Sequence, residues 1–258
     1  MRLMKRILSA AAVLALSASL LVGCSSGTAS SVPVSASSAA ESTVSSVEET
    51  ASSAVDENEA AAAQLLNDLT GSYQELWPVI LADEYKQTWL DDCTALVGED
   101  NAEAAFEKLS SMVTGDVYGE DAVKAYANGG GAYFCGFTNS LATLTFDGET
   151  STISGTDKDG NVLFSHTYHY IGMEPVRGLY EFESDDADSG EFTYFFLAPD
   201  TSAETYHIEF RYGSDAEALS QYDAGDYAYW LASGISTDCD QTMIDNCIEL
   251  FCTENLAG

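Results

Sequence analysis

Three consecutive glycines, Gly129-Gly130-Gly131, separate two different hydrophobic rhythms in the chain. Before them apolar residues recur every three or four positions, the spacing of helices packed on one face. After them the period falls to two, the spacing of half-buried strands. Seven short runs carry that alternation: 132–137, 141–146, 150–155, 162–171, 177–184, 191–197 and 205–212. Turn signals separate them, among them Asp147-Gly148, Asp159-Gly160-Asn161 and the acidic stretch from Ser184 to Gly190. Short strands joined by hairpin chemistry predict an antiparallel meander that closes into a barrel or sandwich. A barrel of this strand number has room for one small ligand.

Helices are expected on both sides of that meander. Residues 60–70 end at Gly71, and 72–95 place Tyr73, Leu76, Trp77, Ile80, Leu81, Tyr85 and Trp89 at helical spacing. The stretches 101–113 and 120–127 repeat the pattern, and two further helices are predicted at about 214–222 and 240–255. The class is therefore α+β, with a helical part over 60–128 and a barrel with C-terminal helices over 129–258.

The first 59 residues read differently. Arg2, Lys5 and Arg6 precede an uncharged run from Ile7 to Gly23, the pattern of a secretory signal over residues 1–23. It ends Leu21-Val22-Gly23-Cys24, a match to the bacterial lipobox in which the Cys24 thiol receives lipid. Residues 24–59 are mostly Ser, Ala, Thr, Val and Glu without an aromatic, a composition too poor in apolar surface to offset ordering entropy. The expectation is a lipid-anchored domain on the outer face of the cell membrane, held off it by a tether.

Charge narrows the partners. There are 42 Asp plus Glu against 9 Lys plus Arg, a formal net charge of -33. Nucleic acid and anionic headgroups are bound through Lys and Arg, so such a surface repels both, and contact with membrane is expected through the lipid anchor only. Cations are attracted instead. No nucleophile elbow, paired-histidine zinc motif or nucleotide loop is present, so the chain reads as a binding protein rather than an enzyme. Aligning Gly160 with the glycine of a calcium loop puts Gly155 and His166 where oxygen ligands are required, so 157–161 reads as a hairpin turn. Five cysteines besides Cys24 lack CxxC spacing and read as buried thiols with one disulfide near the C-terminus.

One segment carries chemistry. In Glu204-Thr205-Tyr206-His207-Ile208-Glu209-Phe210-Arg211, read as a strand, Thr205, His207, Glu209 and Arg211 share one face and Tyr206, Ile208 and Phe210 the other. With the polar face turned into the barrel, His207 and Glu209 are placed to share a cation and Arg211 to pair with a carboxylate. The chain has three histidines, and His166 and His169, three apart on one strand, point to opposite faces.

The order of several short motifs resembles the ZinT (YodA-like) family of extracytoplasmic zinc-binding proteins. Gly71-Ser72-Tyr73-Gln74-Glu75-Leu76-Trp77-Pro78 is similar to the family's opening, and Glu84-Tyr85-Lys86 follows it. Gly136-Phe137-Thr138-Asn139-Ser140-Leu141, Tyr168-His169-Tyr170-Ile171-Gly172, Phe182-Glu183 and Asp186-Ala187-Asp188-Ser189 come next in the family's order. Ala198-Pro199, Tyr206-His207-Ile208 and Gly213 resemble the metal-binding segment.

The resemblance implies a lipocalin-like (calycin) antiparallel β-barrel with a helical subdomain, Zn²⁺ as the bound ion, and delivery of metal to an ABC importer. The family holds zinc mainly through three histidines, of which this chain keeps one, His207; Thr205 stands where another falls, and Asp200 lies in a shortened segment where the third is expected. A rebuilt site would draw on His207, Glu209, Asp200, Glu204 or His169, a carboxylate-rich set that also admits manganese or calcium. The alternative is a barrel without metal that binds a small apolar ligand or acts as a surface interaction module, with Tyr194, Phe195, Phe196, Tyr227, Tyr229 and Trp230 lining a cavity.

Overall fold

The structure is a computed structural model that describes residues 57–198 and 207–257. Eight strands close into one barrel in which every strand pairs antiparallel with its sequence neighbours, and the last pairs with the first. They are β1 (Gly71–Glu75), β2 (Thr143–Asp147), β3 (Thr152–Thr156), β4 (Val162–Met173), β5 (Tyr180–Ser184), β6 (Tyr194–Leu197), β7 (His207–Gly213) and β8 (Ala232–Ser236). This is the antiparallel barrel of the α+β class expected from the sequence, an up-and-down closure that leaves no free edge.

Six of the seven expected strands are present with shifted ends. The run at 132–137 is a correction: Phe134 forms single bridges to Thr114 and Trp230, and the segment lies against 229–233 outside the ring of strands. Two barrel strands, β1 and β8, are not among the expected ones. Gly71, expected as a helix stop, and residues 72–75, expected as the start of the next helix, form β1, with Tyr73 opposite Leu144 on one side and Ser236 on the other. Closing the barrel pairs that stretch with β2 on one side and β8 on the other, which outweighs a helical spacing of apolar side chains. The expected helix 72–95 is instead strand β1, helix α2 (Leu76–Ile80), a 3₁₀ turn (Asp83–Tyr85) and helix α3 (Lys86–Val97), stopped at Gly98 with φ 85°. Strand β8 is small and covered on both faces, so it shows no alternation: Ala232 joins the barrel core and Ile235 the helical one.

Helix α1, described over residues 57–68, sends Ala62, Leu65 and Leu66 into the barrel core. Helices α4 (Ala102–Ser111), α5 (Glu120–Ala127), α6 (Ala216–Leu219) and α7 (Gln241–Leu256) fall close to the expected positions. Asp215 and Asp240 cap α6 and α7 by accepting from the Ala218 and Met243 amides, which satisfies donors that a helix start leaves open. No helix among the described residues is long and apolar enough to cross a membrane.

Two cores result. The barrel core holds Phe146, Phe164, Phe182, Phe195, Phe210, Tyr212 and Trp230, all buried, with Phe195 and Tyr212 5.4 Å apart and Tyr212 and Trp230 5.0 Å apart between ring centroids. Aromatic packing occupies the place where a small-ligand cavity was expected. The second core joins Leu76, Trp77 and Ile80 of α2, Trp89 and Cys93 of α3, Leu109 of α4, and Ile244, Cys247, Ile248 and Cys252 of α7. Ile235 carries that core onto the outer face of the barrel.

Candidate metal site beside strand β7

The register of β7 decides where its polar side chains go. His207 lies opposite Ile235 and Glu209 opposite Ser233 on β8, while Phe196 of β6 lies opposite Arg211. Ile208, Phe210 and Tyr212 are buried in the barrel core. His207, Glu209 and Arg211 therefore face outward, beneath the helices. The shared face is as expected, but its direction is a correction. One strand's alternation gives the two faces without saying which is inside, and here the aromatic face is the larger apolar surface to bury.

Outside β7 a small pocket of ≈ 80 Å³ is lined by His207 and Glu209, by Leu76, Trp77 and Ile80 of α2, and by Cys247, Leu250, Phe251 and Glu254 of α7. Cys247, Leu250, Phe251 and Glu254 recur at the spacing of one helix face, so α7 presents a single wall. That periodicity is visible in the sequence; what the wall faces is not. Glu209 also borders a neighbouring hollow of ≈ 200 Å³ with Arg177, Tyr133, Ser233 and Cys135.

The donor chemistry is one imidazole, two carboxylates and one thiol. Burial, with Cys239 adding to it, pushes the Cys247 thiol up to about 12. Burial, with the nearby Glu209 charge adding to it, likewise pushes the Cys135 thiol up to about 12. The oxygen and nitrogen donors suit zinc, manganese or calcium better than a soft ion. No group of three His, Cys, Asp or Glu side chains placed to hold a metal occurs among the described residues. Asp200 and Glu204, in the stretch that leads into His207, lie outside the described residues, as do Thr205 and Cys24.

His169 is not part of this pocket. It lies on β4, three strands from β7, with its exposed ring held by Asp185 at 2.7 Å between Nδ1 and Oδ1. His166 points to the opposite face, as the spacing predicts, and its Nδ1 lies 2.7 Å from Asp186 Oδ2. These pairs occupy two carboxylates of the acidic stretch, and Ser189 donates to Ser184 Oγ across it at 2.7 Å.

Arg211 is fully buried and takes backbone carbonyls instead of the expected carboxylate: its guanidinium donates to Leu219, Gln221 and Tyr227. The expected turn at 157–161 is confirmed by Asp157, whose Oδ1 accepts from the Asp159 and Asn161 amides, both at 2.9 Å. The Asn161 side-chain amide, then these backbone amides, hold the Asp157 carboxyl below the ordinary range. The expected disulfide is absent among the described residues; Cys93, Cys135, Cys239, Cys247 and Cys252 are free thiols.

No family model matches the chain, and no curated protein matches it in sequence. Among solved structures it is similar to the Zn(II)-bound ZinT-like domain of Streptococcus pneumoniae AdcA, at 15% identity over 70% of this chain and 87% of that one, with a TM-score of 0.44. It is also similar to Zn(II)-bound AdcA from Streptococcus pneumoniae, at 13% identity over 71% of this chain and 34% of that one, with a TM-score of 0.41, so the chain spans about a third of that longer protein.

Proposed function

We propose that the chain is an extracytoplasmic, lipid-anchored binding protein for a divalent cation, zinc first, and that it passes the ion to a metal importer rather than acting as an enzyme. The observation that carries the reading is the pocket beside β7, which the one histidine kept from the ZinT-like motif, His207, lines together with Glu209 and with Glu254 of α7. An imidazole and carboxylates are ligands for a borderline to hard cation, whose charge offsets theirs. Asp200 and Glu204 stand in the segment next to His207 and are proposed to complete the set. The overall charge of -33 raises the local cation concentration without selecting an ion, so selectivity has to come from the donor set.

The test is a calorimetric titration of Zn²⁺ into the purified chain, with Mn²⁺ and Ca²⁺ in parallel and His207→Ala beside the native sequence. Tight one-to-one zinc binding that is lost on substitution supports the reading. Weak heats for all three ions, unchanged by the substitution, mean that surface charge alone attracts them.

A further inference from the structure

We infer that Cys93 and Cys252 form a redox-controlled disulfide that staples α3 to α7. The two sulfurs lie 3.9 Å apart, both side chains are fully buried, and 159 positions of sequence separate them. A disulfide needs a sulfur separation of about 2.05 Å, so closure requires the sulfurs to approach by about 1.9 Å, within reach of side-chain rotation and a small helix shift. Both cysteines sit in the same apolar cluster as Trp89, Phe106 and Phe251, where Phe251 packs on Trp89 with ring centroids 5.9 Å apart. That packing holds α3 against α7 at the level of the two sulfurs.

The reaction is thiol–disulfide exchange with a small-molecule or protein disulfide as the two-electron oxidant. One cysteine attacks a sulfur of that disulfide as thiolate and releases one partner thiol, which takes the proton. The other cysteine then attacks the mixed disulfide, forms the Cys93–Cys252 bond and releases the second thiol with the second proton. Both cysteines are oxidised and the incoming disulfide is reduced. Access comes from α7: Cys252 lies four residues before Leu256, where α7 ends, and helix ends fray. In the folded state burial pushes both thiols up, so exchange is slow until that turn opens. The bond pins the helix that carries Cys247, Phe251 and Glu254, one wall of the His207 pocket.

The inference does not depend on metal binding, and its test is run with a chelator present. The full chain is incubated with oxidised glutathione, unfolded, alkylated and mapped by mass spectrometry beside an untreated sample. The expected result is loss of two alkylatable thiols, a peptide linking Cys93 to Cys252, and a higher thermal midpoint that a reductant reverses. Cys239→Ser keeps the link, and Cys93→Ser and Cys252→Ser each abolish it. Were either of those two variants to misfold, the native peptide map decides by itself. Retention of all thiols after prolonged oxidation, or a link between Cys239 and Cys247 instead, overturns the inference.

Discussion

Arg211 and Tyr222 stack in the buried space between β7 and the loop that follows α6, with the guanidinium carbon 4.4 Å from the ring centroid. Arg177 approaches the same ring, also at 4.4 Å, and the Tyr222 hydroxyl donates to buried Glu174 at 3.4 Å. The arginine thus organises the 219–227 loop by filling its carbonyls and packing on its aromatic ring. Replacing it by methionine leaves those carbonyls without donors in an apolar setting, at a cost of about 3 kcal/mol or more. Arg211→Lys recovers only part of that, because an ammonium lacks the planar fork. Urea unfolding measures both, and a change under about 1 kcal/mol for Arg211→Met would show the carbonyls finding other partners.

Gly148 lies in the turn between β2 and β3, against the end of α1. A Cβ there would stand 2.4 Å from Asn67 Cα and 2.6 Å from Leu66 O, backbone atoms that move only if the helix does. Gly148→Ala is expected to lift α1 from the barrel and destabilise the chain by about 1–3 kcal/mol. Amide exchange should accelerate across residues 61–68, and unchanged protection there would show that the contact relaxes locally.

Acid titration reports on the α3–α7 seam. Burial first, then the charges of Glu249, Asp245 and Asp91, hold the Asp92 carboxyl above its ordinary value. A carboxyl raised in the folded state contributes stability that is complete below its unfolded pKa and is lost as pH rises through the folded one. At neutral pH ionised Asp92 therefore opposes the seam. After solvent screening, Asp92→Asn is expected to stabilise the chain at pH 7 by a few tenths of a kcal/mol. The gain should vanish below about pH 4, and an equal gain at both pH values would assign it to something other than charge.

The barrel was largely legible in the sequence because its strands from β2 to β7 are short runs of period two between turn signals, although β6 and the end of β7 are buried on both faces. Strand β1 was not, since Tyr73, Leu76 and Trp77 fit a helical period equally well and only pairing with β2 and β8 decides the matter. Strand β8 is covered on both sides and carries no alternation at all. For the site, the sequence placed His207 and Glu209 on one face correctly, but the direction of that face depends on which apolar surface the other strands bury. Glu254 and Cys247 escaped notice because their relation to His207 exists only once α7 packs beside β7.

Ligand substitutions should separate the two histidine neighbourhoods. In competition with a chromophoric chelator, Glu209→Gln is expected to weaken zinc binding by roughly tenfold or more. His169→Ala, on the outer barrel face with Asp185, should leave it unchanged. A loss with His169→Ala and none with Glu209→Gln would move the site to the β4–β5 edge.

X-ray absorption at the zinc edge, on the chain loaded with one equivalent of Zn²⁺, examines the donors themselves. The account predicts a mixed nitrogen and oxygen environment at about 2.0–2.2 Å with the multiple scattering of a single imidazole, absent in His207→Ala. An all-oxygen spectrum, identical in the two proteins, would contradict the assignment of His207 as the ligand that defines the site.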